Sequence, residues 1–450
     1  MGDVNVRFGS YEAALTYLYS FYRQAPSAVP SNFAVQAALR MLDVSNTPKS
    51  NRVMHITGTN GKGSTAAYLE LFLQSMGHET VALTSPHINS VRERIRLNGS
   101  PLRKELFIEL LEMTYSILEH LRGTELHPAP TTVITILALL LHEKLSSQCF
   151  GIYEVGVGGT HDSTNVFERA LIGLTRVADD HINHFGGSIE NLLLEKLGLC
   201  RQGGTLIHQI QEPSLHKVLN WYCSKHDIDH ISVTKAAAHR VREYLHDKVL
   251  PGEWQLDNAS LAYEMFKRME PTSPSLEAVS KCIGERSVNH PGRLQSRIID
   301  ERNVILDGAH NVPAFRCILH YLENKLVRNE NCIAILGFSE NKRWREMIEL
   351  VVNSNMFTTF VFTQSTRPRG ISPSDLAAYA SSITKFPVMT MANLRTALDW
   401  VLENTSGTIV ISGSLLLVGD LDKALHALGL ADWAYPLDEI DPQQPWMQEL

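Results

Sequence analysis

Residues 53–64 read VMHITGTNGKGS, and a largely apolar stretch to Met76 follows. A strand pattern over Val53–Thr57, a turn with glycines at 58, 61 and 63, and a helix from about Ser64 to Met76 leave few folds open. A strand that passes through a Gly-rich turn into a helix belongs to a sheet with helices packed on its faces. Glycines let the backbone approach a ligand, and the N–H groups at the helix start point at an anion. Lys62 and the Ser64 hydroxyl complete a phosphate loop. Thr59, Asn60, Gly61, Lys62, Gly63 and Ser64 are therefore the expected nucleotide-binding residues. Lys62 is placed on the β/γ-phosphates and Ser64 on Mg²⁺, which favours oxygen ligands.

The rest of the chain extends the same style. Thr80–Thr84, Phe150–Val155 and Leu171–Thr175 read as strands, and Leu106–Arg122 and Thr131–Leu145 as helices. Val304–Leu306, Ile333–Leu336, Phe360–Thr363 and Ile409–Ser412 are further short β-rich runs with helical patterns between them. Alternation of this kind predicts an α/β fold with a parallel sheet covered on both faces. Gly and Pro interrupt the pattern in GERSVNHPGR, residues 284–293, which divides the chain into a phosphate-loop domain, 1–287, and a second, smaller Rossmann-like domain, 288–450.

Composition narrows the class of protein. The formal charge is 41 − 48 = −7, so nucleic acid is not expected as the main partner. The longest strongly apolar run, Val133–Leu141, falls well short of the ~20 residues that cross a bilayer, and no membrane partner is expected. The N-terminus, MGDVNVRFGS, lacks a basic start followed by an apolar core. The six cysteines contain no CxxC pair, which argues against a disulfide framework and for a reducing compartment, the cytosol.

Further motifs follow in a fixed order. They are Ser85-Pro86-His87, Glu154-Val155-Gly156-Val157-Gly158-Gly159, Asp180-His181, Glu195-Lys196-Leu197-Gly198, Pro291-Gly292-Arg293 and Asp307-Gly308-Ala309-His310-Asn311. Together with the phosphate loop, this ordered set resembles the folylpolyglutamate synthase/dihydrofolate synthase family of the Mur-type ligases, from about Tyr11 to Leu421. The resemblance implies an ATP-dependent ligase that adds L-glutamate to a pteroate or folate carboxylate through an acyl phosphate. It implies ATP and two Mg²⁺ as cofactors. It puts the first ion on Ser64, Ser85 and Glu154, and the second near Glu154, His181 and Lys196. An ammonium repels Mg²⁺; in related ligases the matching lysine is carbamylated, which would make Lys196 an anion. Lys62, His181 and Lys196 are the catalytic candidates. By the same carry-over Gln255 and Asn258 lie near adenine, and Arg293, Asp307 and His310 serve the phosphates and ribose as the domains close.

Three departures concern substrate rather than nucleotide. The family usually reads GGRLDATN where this chain has Gly158-Gly159-Thr160-His161-Asp162-Ser163-Thr164-Asn165. An aromatic–Glu pair is replaced by Thr131-Thr132, and a Lys-Asp pair by Lys342-Arg343. Thr160, His161, Asp162 and Lys342 are the substrate-binding candidates, the last for the amino acid's carboxylate. An arginine lost at 160 removes a bidentate carboxylate clamp that threonine cannot replace. The alternatives are a diverged Mur-type ligase with a non-folate acceptor and a non-catalytic ATP-binding relative. The expected partners are a small acceptor acid and an amino acid, and the expected state is a monomer.

Overall fold

A computed structural model describes residues 7–22, 29–44, 52–180, 185–209, 212–270, 272, 274–288, 290–326, 331–365 and 370–427. The chain divides into two compact units: residues 1–87, 91–249 and 255–288 form one, and 88–90, 250–254 and 289–450 the other.

The first unit runs α1 (Tyr11–Tyr19), α2 (Ser31–Met41), β1 (Val53–Thr57), α3 (Lys62–Ser75), β2 (Thr80–Leu83), β3 (Ile95–Leu97), β4 (Ser100–Pro101), α4 (Lys104–Leu121), α5 (Pro130–Lys144) and β5 (Phe150–Glu154). It continues with β6 (Leu171–Leu174), α6 (Ile189–Leu197), β7 (Thr205–His208), α7 (Pro213–Lys225), β8 (Asp229–Ser232), α8 (Lys235–Leu245), α9 (Glu253–Met269) and α10 (Leu276–Ile283). Its sheet has the order β4-β3-β2-β5-β1-β6-β7-β8. The strands from β2 to β8 are parallel, and the β3–β4 hairpin adds antiparallel pairs at one edge.

β1 and β5 are buried at every position, which is why they read as unbroken β-rich runs rather than as alternating ones. α5 starts at Pro130, whose fixed φ suits a first helical position. It is apolar around most of its circumference, and Val133, Ile136 and Leu137 are fully buried. Each such side chain contributes roughly 1.5–3 kcal/mol of transfer free energy. The edge hairpin was not legible as strands because β3 carries Arg96. That guanidinium is buried through an ion pair with Glu70 of α3, its Nε lying 2.8 Å from Glu70 Oε2, and a 3.1 Å bond to Thr84 Oγ1.

The second unit runs β9 (Gln295–Ile299), β10 (Arg302–Leu306), α11 (Val312–Lys325), β11 (Cys332–Leu336), α12 (Trp344–Asn353), β12 (Phe357–Phe362), α13 (Pro373–Ile383), β13 (Val388–Thr390), α14 (Leu394–Asn404), β14 (Thr408–Ser412) and α15 (Leu415–Ala427). Its sheet order is β13-β12-β11-β14-β10-β9, parallel except at the β9–β10 edge. The period of two along each strand separates two cores. Ala334 and Leu336 join α11, α12 and α13 on one face, while Ile333 and Ile335 join α14 and α15 on the other.

Candidate active site

In the first unit β2, β5, β1 and β6 are parallel neighbours, so their carboxyl ends lie side by side. Ser85 follows β2, Glu154 ends β5, the phosphate loop follows β1 and Arg176–Asp180 follow β6. Ligands of open α/β sheets bind at this edge, where strand order changes direction.

The phosphate loop is anchored to the segment after β6. Thr59 N donates to Arg176 O at 2.9 Å, and the Thr59 hydroxyl donates to Ala178 O at 3.0 Å while accepting from Ala178 N at 3.1 Å. Gly58 has φ +141°, and a Cβ there would fall 1.9 Å from Thr175 Oγ1. Gly61 has φ +94°, and its Cβ would fall 2.3 Å from Asn258 Oδ1. The loop therefore depends on two backbones that only glycine can supply. Gly58→Ala is expected to destabilise the first unit by about 2–4 kcal/mol through clash and strain, read as a lowered denaturant midpoint at constant m.

α3 begins at Lys62 with no side-chain cap, so its first N–H groups face the loop, as an anion site requires. Ser64 is buried in the first turn. Lys62 Nζ donates to Gly58 O at 3.3 Å and Thr59 O at 3.2 Å. Lys196 reaches the same place from α6, where Ser188 caps the helix start by accepting from Asn191 N. Only 5% exposed, Lys196 donates from Nζ to Gly58 O at 2.9 Å. Burial, and next the Lys62 charge, push the Lys196 amine down to about 7, against the pull of Asp180, Glu195 and Asp162. Glu154 is buried at the end of β5, and its Oε2 accepts from Ser85 N at 3.0 Å. Gln255 and Asn258 are buried neighbours on α9, joined by a 3.1 Å bond, and Asn258 packs against Gly61. Thr59, Lys62, Ser85, Glu154, Lys196 and Asn258 are thus gathered at one sheet edge. His181 lies outside the described residues.

The substrate-binding candidates after β5 sit differently. Thr160 donates through both N (3.1 Å) and Oγ1 (3.0 Å) to Glu195 O. Asp162 accepts from Gly156 N at 3.1 Å and from Thr164 N and Oγ1 at 2.9 and 2.6 Å. Burial pushes its carboxyl upward, and those hydrogen bonds oppose the shift. Asp162 is occupied within the loop and Thr160 by the backbone of α6. His161 is exposed, as is Val157, at 54%. Sequence reading passed over Thr164. Its signal was an Asx turn, in which an aspartate accepts from the backbone two residues on.

In the second unit PGR and DGAHN meet. Gly308 N donates to Gly292 O at 2.9 Å, and Asp307 accepts from Leu294 N and Ala309 N, each at 2.8 Å. Burial pushes the Asp307 carboxyl up, and the Arg293 charge draws it back. His310 Nδ1 lies 2.9 Å from Gly308 O, the bond of an Nδ1–H donor. Lys342 lies in the turn before α12, where its N donates to Ser339 O.

Residues 293–425 match the family model for the dihydrofolate synthetase C-terminal domain. Over 402 residues the chain is 26% identical to the dihydrofolate synthase/folylpolyglutamate synthase of Bacillus subtilis, which covers 84% of this chain and 91% of that protein. Over most of its length the chain is thus similar to folylpolyglutamate synthase/dihydrofolate synthase proteins. The fold agrees with solved structures. Folylpolyglutamate synthase from Thermotoga maritima superposes with a TM-score of 0.74 at 23% identity, over 98% of this chain and 99% of that one. A bifunctional folylpolyglutamate synthase/dihydrofolate synthase with Mn, AMPPNP and L-glutamate bound gives 0.76 at 22% identity, over 94% and 100%. Among the described residues, no helix is long and apolar enough to cross a membrane.

Proposed function

We propose that this chain is an ATP-dependent amide ligase that joins L-glutamate to the carboxylate of a pteroate or folate. The observation that carries the reading is the pair of amines, Lys62 and Lys196, on one carbonyl of the phosphate loop, with Glu154 ending the adjacent strand. A simple NTPase needs the first lysine. A second, buried lysine with an amine near 7 suits a site that handles more than phosphate.

In this reading the acceptor carboxylate attacks the γ-phosphorus of ATP, releasing ADP and forming an acyl phosphate. The glutamate amine then attacks the acyl carbon, and the tetrahedral adduct expels inorganic phosphate to leave the amide. Charge builds on oxygen in both steps. Lys62 and the α3 N-terminus are the preorganised donors for it. Asn258 and Gln255 serve the adenine side, and by the family resemblance Arg293, Asp307 and His310 are further nucleotide candidates.

The donor set fits a magnesium ion that leans on phosphate. Among the described residues no three His, Cys, Asp or Glu side chains converge to hold a metal by themselves. A serine hydroxyl and one carboxylate beside a phosphate loop are what Mg²⁺ uses together with phosphate oxygens. Ser64, Ser85 and Glu154 would hold the first ion, and Glu154, His181 and a modified Lys196 a second. When bound, the ions neutralise the phosphates and the leaving oxygen. A lysine near 7 is largely neutral at physiological pH, so its amine can attack CO₂, lose a proton and become a carbamate anion. The enzyme acts as a cytosolic monomer in this reading.

The test is phosphate release by the purified chain with ATP, Mg²⁺, L-glutamate and either dihydropteroate or tetrahydrofolate, with products weighed by mass spectrometry. A glutamate-mass increment on one acceptor is expected, and bicarbonate added to CO₂-depleted buffer is expected to raise the rate severalfold. Nucleotide binding with neither product would reject the folate acceptor. An unchanged rate with bicarbonate would reject the carbamate.

A further inference from the structure

The loop of residues 156–165 is tied to five parts of the first unit. Thr57 Oγ1 donates to Gly158 O at 3.2 Å, and Ser31 Oγ of α2 donates to His161 O at 3.0 Å. Thr135 of α5 and Ser163 share a 2.8 Å hydroxyl pair, and Glu195 O of α6 accepts from Thr160. Asn165 Nδ2 donates to Thr160 O at 2.8 Å, while Arg201 Nη2 donates to Asn165 Oδ1 at 2.6 Å. Besides Thr57 at its end, β1 supplies a second tie from its middle. His55, buried in the middle of β1, places Nε2 2.6 Å from Thr164 Oγ1.

The direction of this tie follows from counting protons. A carboxylate oxygen only accepts, so the Thr164 hydroxyl proton goes to Asp162 Oδ1 at 2.6 Å. Thr164 Oγ1 must then accept from His55, which carries its proton on Nε2. Burial, with Arg201 nearby, pushes His55 down to about 3, so it stays a neutral donor at working pH. The far carboxylate oxygen of Asp162 receives Gly156 N at 3.1 Å. A continuous chain therefore runs from the core strand through Thr164 and Asp162 to the residue that precedes Val157.

We propose that His55 and Thr164 are positioning residues: through Asp162 they fix the Val157–His161 rim against which the acceptor acid is held. This rests on the ligase reading only for the identity of what the rim holds. None of the three needs to touch the substrate. Thr164→Val keeps the volume but removes the hydroxyl, so Asp162 loses a donor and the His55 N–H loses its acceptor. Thr164→Ser keeps the hydroxyl.

The test compares wild type, Thr164→Val and Thr164→Ser in two measurements. In hydrogen exchange without substrate, the amides of Gly156 and Thr164 are expected to exchange at least tenfold faster in Thr164→Val. The serine variant should match wild type, and the α3 amides should not change. In turnover, Thr164→Val should raise KM for the pteroate or folate acceptor about tenfold, with KM for ATP within twofold and kcat within threefold, and serine should restore it. Unchanged exchange, a parallel rise of both KM values, or no rescue by serine would overturn the proposal. If wild type makes no glutamyl product, the ligase reading fails, while the exchange arm still decides the relay. Should Thr164→Val not fold, His55→Gln, which keeps an N–H donor, is compared with His55→Met in the same two measurements. Rescue by glutamine alone is expected, and equal behaviour of the two would reject the relay.

Discussion

Lys62→Ala is expected to lower kcat/KM for ATP by about 10³-fold, or ~4 kcal/mol of transition-state stabilisation, the scale of losing one preorganised charged donor. The loss should be functional rather than structural. Lys62 is only partly buried, and its bonds to the Gly58 and Thr59 carbonyls, at 3.3 and 3.2 Å, tie loop to loop without filling core. The denaturation midpoint should therefore move by less than about 1 kcal/mol. A second effect is predicted from the same change. The Lys62 charge is the next largest cause, after burial, of the lowered Lys196 amine. Removing it should raise the titration of Lys196 toward its ordinary value and move the acid limb of the pH–rate profile to higher pH. Residual activity with an unshifted profile would separate the two amines and count against a shared site.

Lys196→Met is expected to abolish ligation while stabilising the fold, with a pH dependence whose sign is fixed. The Lys196 amine sits near 7 when folded against 10.5 when free, so between those values the unfolded chain holds a proton that the folded chain lacks. Stability of wild type therefore rises with pH through that window, and the full penalty is present below pH 7. Methionine removes the penalty. In CO₂-depleted buffer the variant should gain on the order of 3–5 kcal/mol at pH 6 and almost nothing near pH 10.5, less whatever the lost bond to Gly58 O contributes. Urea melts at pH 6 and pH 9.5 measure it. Parallel curves for wild type and variant would mean that Lys196 is not held in a desolvated state.

Much of the first unit was readable because its central strands advertise themselves. VMHIT and FGIYE are buried on both faces, and the loop after β1 combines glycine, lysine and a hydroxyl in a set order. The edges were harder. β8 is exposed at all four positions and has a single apolar residue, Ile231, and β3 hides a charged residue that only a partner 26 residues away makes tolerable. The site showed a similar split. The phosphate-loop residues form a short-range motif, visible as spacing. Thr160 and Asp162 announce polar chemistry in the sequence, yet the bonds that occupy them come from Glu195 O and from Gly156 N and Thr164. His55 reads as one more core position on a buried strand. Its partner lies 109 residues on, and no local pattern reports it.

The clamped loop after β5 also bears on how such a protein changes over generations. Its polar side chains at 160, 162, 163, 164 and 165 are spent on holding the backbone, while Val157 and His161 face outward. Frame and contact surface are thus carried by different positions. Exchange at the two outward positions leaves the frame untouched, so under the proposed reading acceptor preference can drift without the fold being renegotiated. Exchange within the frame alters both together, and selection sees it first as lost protein.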